Sequence, residues 1–319
     1  METSTFKSEI GLSIIMYHYV RDLKNSKYPE IKGLDIALFV EQLEYLAKHY
    51  QFISVHDLLV GNELPPNPVL LTFDDGYIDN HTFVFPELEK RGIKGAFFPI
   101  VDASQNGRVL DVNKIHFVLA SVSNKEELVG EIDNYVITNK EALELNDVCE
   151  YKNNVPKSRF DTDDVVYIKC MLQRDLPLES RAYLTNKLFE KFVSADEADF
   201  ASELYVTKAQ LKEMYEKGQS VGIHGYSHSW LATLGEEEQT FEIDESIKFL
   251  KSIGVKEKEL IIAYPYGNYN DITIDVCKKR NVRFGFTTQV GKADLRNSLE
   301  LARVDTNDVP KERNARPKA

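Results

Sequence analysis

The sequence predicts an α/β protein, a (β/α) barrel, complete or broken, with a largely helical insertion. Three observations lead there. Short β-rich apolar runs alternate with amphipathic segments over 1–100 and 206–310, the pattern of repeated strand and helix units around a mostly parallel sheet. The units number six to eight. Between them, 101–205 is rich in charge and helix formers and lacks a strand of this type. An open doubly wound sheet built from the same units is the alternative.

The strand candidates are Leu12–Tyr17, Val69–Phe73, Gly95–Ile100, Ser220–His224, Leu260–Tyr264 and Phe284–Thr287, with weaker ones near Phe52 and Leu301. Phe39, Leu43 and Leu46 fall on one face of a first helix, and Phe241, Ile247 and Leu250 suit a later one. Thr207 is placed to cap a helix that runs to Lys217 and ends at Gly218. In the insertion, Leu184, Leu188 and Phe192 recur every fourth residue across Ser180–Val193, so this segment should pack. A lid over the barrel rim is its expected role. Residues 311–319 read as a polar tail.

A chain of 319 residues, 43% hydrophobic, can bury a substantial core. Its net charge of −12 argues against nucleic-acid or anionic-lipid partners, which need clustered Lys and Arg. Cys149, Cys170 and Cys277 are far apart and show no C-x-x-C spacing, so they read as reduced structural thiols. Glu2 and Glu9 stand where a signal peptide carries positive charge, and no apolar stretch reaches the roughly twenty residues of a membrane span. A cytoplasmic location is therefore expected; the oligomeric state is not legible.

Three segments carry the chemistry. In Val69-Leu-Leu-Thr-Phe-Asp-Asp-Gly-Tyr77 a buried-strand pattern ends in two carboxylates. In a (β/α) barrel that rim holds the active site, and adjacent side chains there can diverge, one toward a metal and one toward substrate. A plain Asp-Gly turn explains the segment equally well. In Val221-Gly-Ile-His-Gly-Tyr-Ser-His-Ser229, His224 and His228 stand four residues apart. Two imidazoles and one carboxylate leave an open position for water, as in catalytic zinc sites; two structural histidines are the plain alternative. In Ile261-Ile-Ala-Tyr-Pro-Tyr-Gly-Asn-Tyr-Asn270 a rigid proline and a glycine flank Tyr266, whose backbone N–H is a candidate oxyanion donor. Tyr264, Tyr266 and Tyr269 suit sugar stacking or ordinary packing.

Taken in this order, Thr72-Phe-Asp-Asp-Gly76, His224-x-x-x-His228 and Tyr264-Pro-Tyr-Gly267 resemble the polysaccharide deacetylases of the NodB-homology type, carbohydrate esterase family four. The resemblance implies a distorted (β/α) barrel in which Asp75, His224 and His228 hold a divalent metal, usually Zn2+. It implies Asp74 as general base, with the metal polarising the acyl carbonyl and lowering the pKa of water, and the N–H of Tyr266 facing the oxyanion. Members of the family commonly take the general acid from a histidine near the chain end, and this sequence has none after His228. Some members resemble a circularly permuted order that takes it from the first strand, and His18 ends the first strand candidate here. His18 is therefore the expected acid. Many members also carry an arginine two residues before the motif proline; Ala263 stands there, and Arg303 is expected to supply that charge to Asp74 from another strand.

The implied function is hydrolysis of N-acetyl or other acyl groups on a carbohydrate. A cytoplasmic setting favours a nucleotide- or lipid-linked precursor over a finished polymer. Two alternatives stay open: a metal-containing carbohydrate-binding relative without activity, kept alive by Ala263, and a metal-dependent phosphoesterase, disfavoured by the histidine pair and the lack of a G-x-x-x-x-G-K loop. His49, His56, His81 and His116 read as structural or surface residues. Asp79 and His81 follow the aspartates closely enough to support the site from behind. Trp230 packs below the site or lines a sugar groove.

Overall fold

The structure, a computed structural model, describes residues 11–310 except 62, 159 and 160. Glu2, Glu9 and the polar tail 311–319 lie outside the described residues. Two compact units form. The first takes in the chain to Asp22, Gly33–Arg108 and the chain from Ala201 onward; the second comprises Leu23–Lys32 and Val109–Phe200. No helix among the described residues is long and apolar enough to cross a membrane.

The first unit is built on eight parallel strands: β1 Ser13–Tyr17, β2 Gln51–Phe52, β3 Pro68–Asp75, β4 Ala96–Pro99, β5 Ser220–Val221, β6 Ile261–Ala263, β7 Phe284–Val290 and β8 Leu301–Asp305. Their lateral order is β5-β4-β3-β1-β8-β7-β6, with β2 paired to the start of β3. The two ends of this row meet. Ile223, just past β5, bridges Ile262 of β6 in parallel, with Ile223 N donating to Ile261 O at 2.8 Å and Ala263 N to Ile223 O at 2.9 Å. The sheet is therefore a nearly closed, distorted barrel, and the open doubly wound alternative falls away.

Strand pleating explains both the core and the site. Side chains alternate across a strand, so Ile14, Leu70, Ala96, Phe98, Ile261, Ala263, Phe284, Phe286 and Leu301 share one apolar cluster that fills the barrel. The other parity, Ile15, Tyr17, Val69, Leu71, Phe73 and Phe97, packs with Phe39, Leu43 and Leu46 of the Ile36–His49 helix. Burial on both sides is why these strands read as continuous apolar runs. Thr207 caps the helix Lys208–Glu216 in a reciprocal box with Gln210, as its sequence indicates. Phe241 departs from expectation: the helix Glu236–Ile253 buries Ile243, Ile247, Leu250 and Ile253, whereas Phe241 is exposed. It lies six positions before Ile247, about 120° around a helix that turns about 100° per residue.

The second unit has helices Asp111–Ser121, Lys125–Asn139, Val148–Asn153, Asp163–Cys170 and Leu178–Phe192, and no strand among its described residues. Leu178–Phe192 buries Leu184 and Leu188 as the spacing predicts, but Phe189 completes the stripe and Phe192 is only half-buried. A four-residue repeat drifts about 40° per step against 3.6 residues per turn, which moves the third position off the face. Segment 23–32 joins this unit through Tyr28, whose ring meets Phe117 edge-on at 4.9 Å, while Phe117 and Phe189 flank Phe200 at 4.9 and 5.1 Å.

Candidate active site

Every predicted site residue lies in the first unit. Asp74 has the parity of Leu70 and Thr72 and so faces the barrel interior. Arg303 has the parity of Leu301 on β8 and enters the same space across β1. They form a bidentate pair, Nη1 to Oδ1 at 2.9 Å and Nη2 to Oδ2 at 2.7 Å, with both side chains almost fully buried. Arg303 Nε donates to Thr287 O at 2.7 Å and Nη1 also to Thr72 Oγ1 at 3.1 Å. Thr72 in turn donates to Ile15 O at 2.8 Å, tying the network to β1. Burial alone would raise the Asp74 carboxyl, but the Arg303 charge, with His224 next, outweighs it and holds Asp74 below the usual carboxylate range.

Asp75 leaves the strand differently. It has the parity of Leu71 and Phe73, opposite to Asp74, and it and Gly76 are both left-handed, with φ of 69° and 65°. Gly76 is needed there, since a Cβ would lie 2.7 Å from Pro99 Cα. Asp75 Oδ1 stands 3.2 Å from His224 Nε2 and 3.4 Å from His228 Nε2. One ligand atom from each of the three residues falls within 4.8 Å of the others, all three side chains being buried. His224 Nδ1 donates to Ala263 O at 2.7 Å, which orients the ring so that Nε2 faces Asp75.

Burial opposes the charge on Asp75, yet the His224 hydrogen bond and then the His18 and His228 charges pull its carboxyl well down. Burial pushes the His228 imidazole down to about 3 against the attraction of Asp75. It also opposes protonation of His224, but the hydrogen bond to Asp75 and the charges of both aspartates hold that imidazole above its ordinary value. A carboxylate and imidazoles aimed at one point are the donor set that a divalent transition metal takes, so the residues fit such an ion.

Both aspartates have folded values below their unfolded values, so their contribution to stability is complete above about pH 4 and is lost as pH falls toward the folded values. Chemical denaturation of metal-free protein from pH 5 down to pH 3 should therefore show stability falling, and Asp74→Asn should flatten that slope. An unchanged slope would argue against an ionised buried Asp74.

His18 follows β1, half-buried, and is near enough to both aspartates to favour their ionised forms. Tyr266 is left-handed at φ 58° within Pro265–Gly267. Its ring meets His228 at 4.5 Å and lies flat on Trp230 at 4.3 Å and 9°. Trp230 is thus not below the site; it is half-exposed beside it, stacked on Tyr266. Gly267, at φ 65°, lets this turn lie against Thr288, where a Cβ would overlap the side chain. Asp79 pairs with Arg21, Nε to Oδ2 at 2.7 Å and Nη2 to Oδ1 at 3.0 Å, and His81 bonds Glu213 and Gln210.

Sequence reasoning missed two residues. Tyr77 Oη donates to Asp75 Oδ2 at 2.6 Å, and burial, with the neighbouring Asp75 charge, raises its phenol well above the ordinary value. Tyr77 belongs to the quoted aspartate segment, so its place beside Asp75 was visible although its orientation was not. Glu242 is buried and holds the loop between the histidines: Oε2 accepts from Tyr226 N at 2.7 Å and Ser227 N at 2.9 Å, and Oε1 accepts from Ser227 Oγ at 2.5 Å. Nothing in the sequence separates Glu242 from the exposed glutamates of its helix. Glu242→Ala would orphan these donors, at about 1–3 kcal/mol each if they stay dry. Thermal denaturation should show a clear loss in Tm; an unchanged Tm would mean that water replaces the carboxylate.

The polysaccharide deacetylase family profile matches residues 183–285, which include His224, His228 and Tyr266. A putative polysaccharide deacetylase of Bacillus subtilis strain 168, YxkH, is 33% identical over 89 residues, 28% of this chain and 32% of that protein. The match thus spans about a third of that relative's length. Among solved structures, the Streptococcus pyogenes deacetylase PplD in complex with acetate superposes with a TM-score of 0.56 at 21% identity, covering 93% of each chain. IcaB from Ammonifex degensii gives 0.53 at 19% identity, over 93% of this chain and 92% of that one. At such identities these two show a shared fold, which is the barrel described above. Residues 183–285, with His224, His228 and Tyr266, are thus similar to the polysaccharide deacetylase family, and the chain as a whole shares the fold of solved deacetylases.

Proposed function

We propose that this protein is a metal-dependent hydrolase that removes N-acetyl groups from a carbohydrate. The observation that carries this reading is the buried Arg303–Asp74 pair beside the Asp75, His224 and His228 cluster. A site that only holds a metal has no use for a second, ionised carboxylate locked in place by a buried guanidinium. The two imidazoles argue against a magnesium phosphoesterase, since magnesium favours oxygen donors.

Asp75, His224 and His228 would hold the ion, with Zn2+ the best fit to this donor set. When bound, such an ion supplies Lewis acidity toward an acyl oxygen and toward water. Asp74, kept ionised by Arg303, takes the proton of the attacking water as general base. The backbone N–H of Tyr266 serves the oxyanion. His18 delivers a proton to the leaving nitrogen, so that the amine departs neutral. Trp230 and Tyr266 offer an aromatic surface beside the cluster on which a sugar ring can stack.

The test is acetate release from N-acetylated glycans and their lipid- or nucleotide-linked precursors by Zn2+-loaded protein. Turnover on any of them supports the proposal. Stoichiometric metal with no turnover across the set would favour the carbohydrate-binding reading.

A further inference from the structure

Asp75 presents only one of its two carboxylate oxygens to the imidazoles. Oδ1 faces His224 and His228, while Oδ2 is taken by the Tyr77 hydroxyl at 2.6 Å. The contact joins residues two apart, which a continuing strand would send to the same face but pleated about 7 Å apart. Here the left-handed pair Asp75–Gly76 reverses the chain and brings the ring back under the carboxylate. A non-glycine residue in that conformation is held there by its surroundings.

Those surroundings clamp Tyr77 on several sides. Its ring stacks on Tyr19 at 3.8 Å and 16°, and Tyr205 lies nearly parallel beyond at 6.1 Å. Its backbone bridges Tyr205 in antiparallel fashion, and Val206 N donates to Gly76 O at 2.9 Å. Arg21 lies over Tyr19 at 5.2 Å and is itself locked by the buried bidentate pair with Asp79. The phenol is therefore a fixed donor. A bidentate carboxylate would bring both oxygens to the ion, and a donor that occupies Oδ2 opposes that.

We propose that Tyr77 is a positioning residue that holds Asp75 as a one-oxygen ligand and thereby sets metal affinity and coordination number, with the Tyr19, Arg21 and Asp79 stack keeping the phenol in place. The inference rests on the metal reading of the Asp75, His224 and His228 cluster. It extends that reading to a residue that meets Asp75 through Oδ2, the oxygen not turned to the imidazoles.

The test uses the full chain, with Zn2+ and Co2+ as probes. Tyr77→Phe keeps the ring and deletes the donor. Its Zn2+ Kd, by competition with a chromophoric chelator, should weaken about 10- to 100-fold, the usual effect of removing a partner of a metal ligand. The visible absorption of the Co2+ form should weaken as a further oxygen enters the coordination sphere. A residue that only supports the fold would lower the Tm of metal-free protein and leave both readouts unmoved. A Zn2+ Kd within twofold of wild type, with an unchanged Co2+ spectrum, overturns the proposal. His224→Ala is measured alongside. If it binds Zn2+ as tightly as wild type, the metal reading itself fails; if it loses Zn2+ while Tyr77→Phe does not, only the role of Tyr77 fails. Should Tyr77→Phe not fold, Tyr19→Leu leaves the hydroxyl but removes the ring it stacks on. A several-fold weaker Zn2+ Kd then supports the proposal and an unchanged one overturns it.

Discussion

Arg303→Met is expected to abolish acetate release and to destabilise the fold by about 3–5 kcal/mol, the usual cost of leaving one partner of a buried ion pair alone. Methionine fills much of the volume but supplies no donor. Four acceptors lose this donor together: both Asp74 oxygens, the Thr287 carbonyl and Thr72 Oγ1. The charge that overcomes the burial of Asp74 disappears, so the carboxyl rises and takes up a proton. A protonated Asp74 cannot accept another from water, and general-base catalysis is worth about 10²- to 10⁴-fold. The metal content should survive, because Asp75, His224 and His228 do not contact Arg303. Arg303→Lys separates the two effects: it restores charge without the fork that meets both oxygens, and partial recovery is expected. Denaturant unfolding, acetate assays and metal analysis measure the three outcomes. Full activity in Arg303→Met would refute the pairing role.

Asp74→Asn is the second large effect. Turnover should fall by at least the same factor of about 10²–10⁴ while Zn2+ remains bound, whereas His224→Ala should lose the ion. The isosteric amide keeps one acceptor for Arg303 but turns an NH2 toward the other guanidinium nitrogen, so some stability is lost as well. Activity is therefore compared at a temperature where both proteins are folded. An Asp74→Asn protein without metal would move Asp74 into the ligand set. One that retains full activity would remove it from catalysis.

The two aspartates show how far sequence reading reaches. Adjacent carboxylates at a strand end are legible as a pair with divergent roles, because strand periodicity requires neighbours to face opposite sides. Which one points inward follows from the parity of Leu70 and Thr72 once the barrel is known. The left-handed turn of Asp75 was signalled only by the glycine after it. His224 and His228 were visible through their spacing, since residues four apart along a compact loop converge. The loop that holds them depends on Glu242, 14 positions past His228, and no local pattern distinguishes that carboxylate from the solvated glutamates around it.

By itself the sequence determined the strand and helix alternation, the α/β class with a barrel as its leading architecture, the helical character of 101–205 and the residue types of the cluster. These are local quantities, written in hydrophobic period, capping residues and turn chemistry. The Arg303–Asp74 pairing was expected, and the tertiary structure gave its bidentate form; only the tertiary structure decided that Tyr77 holds Asp75, that Arg21 locks onto Asp79 and that Phe241 lies outside the core. These depend on strand order, on helix phase or, for Tyr77, on the left-handed turn at Asp75 and Gly76. The burial that makes a buried ion pair decisive is a property of the closed sheet and its helices, which no single segment contains.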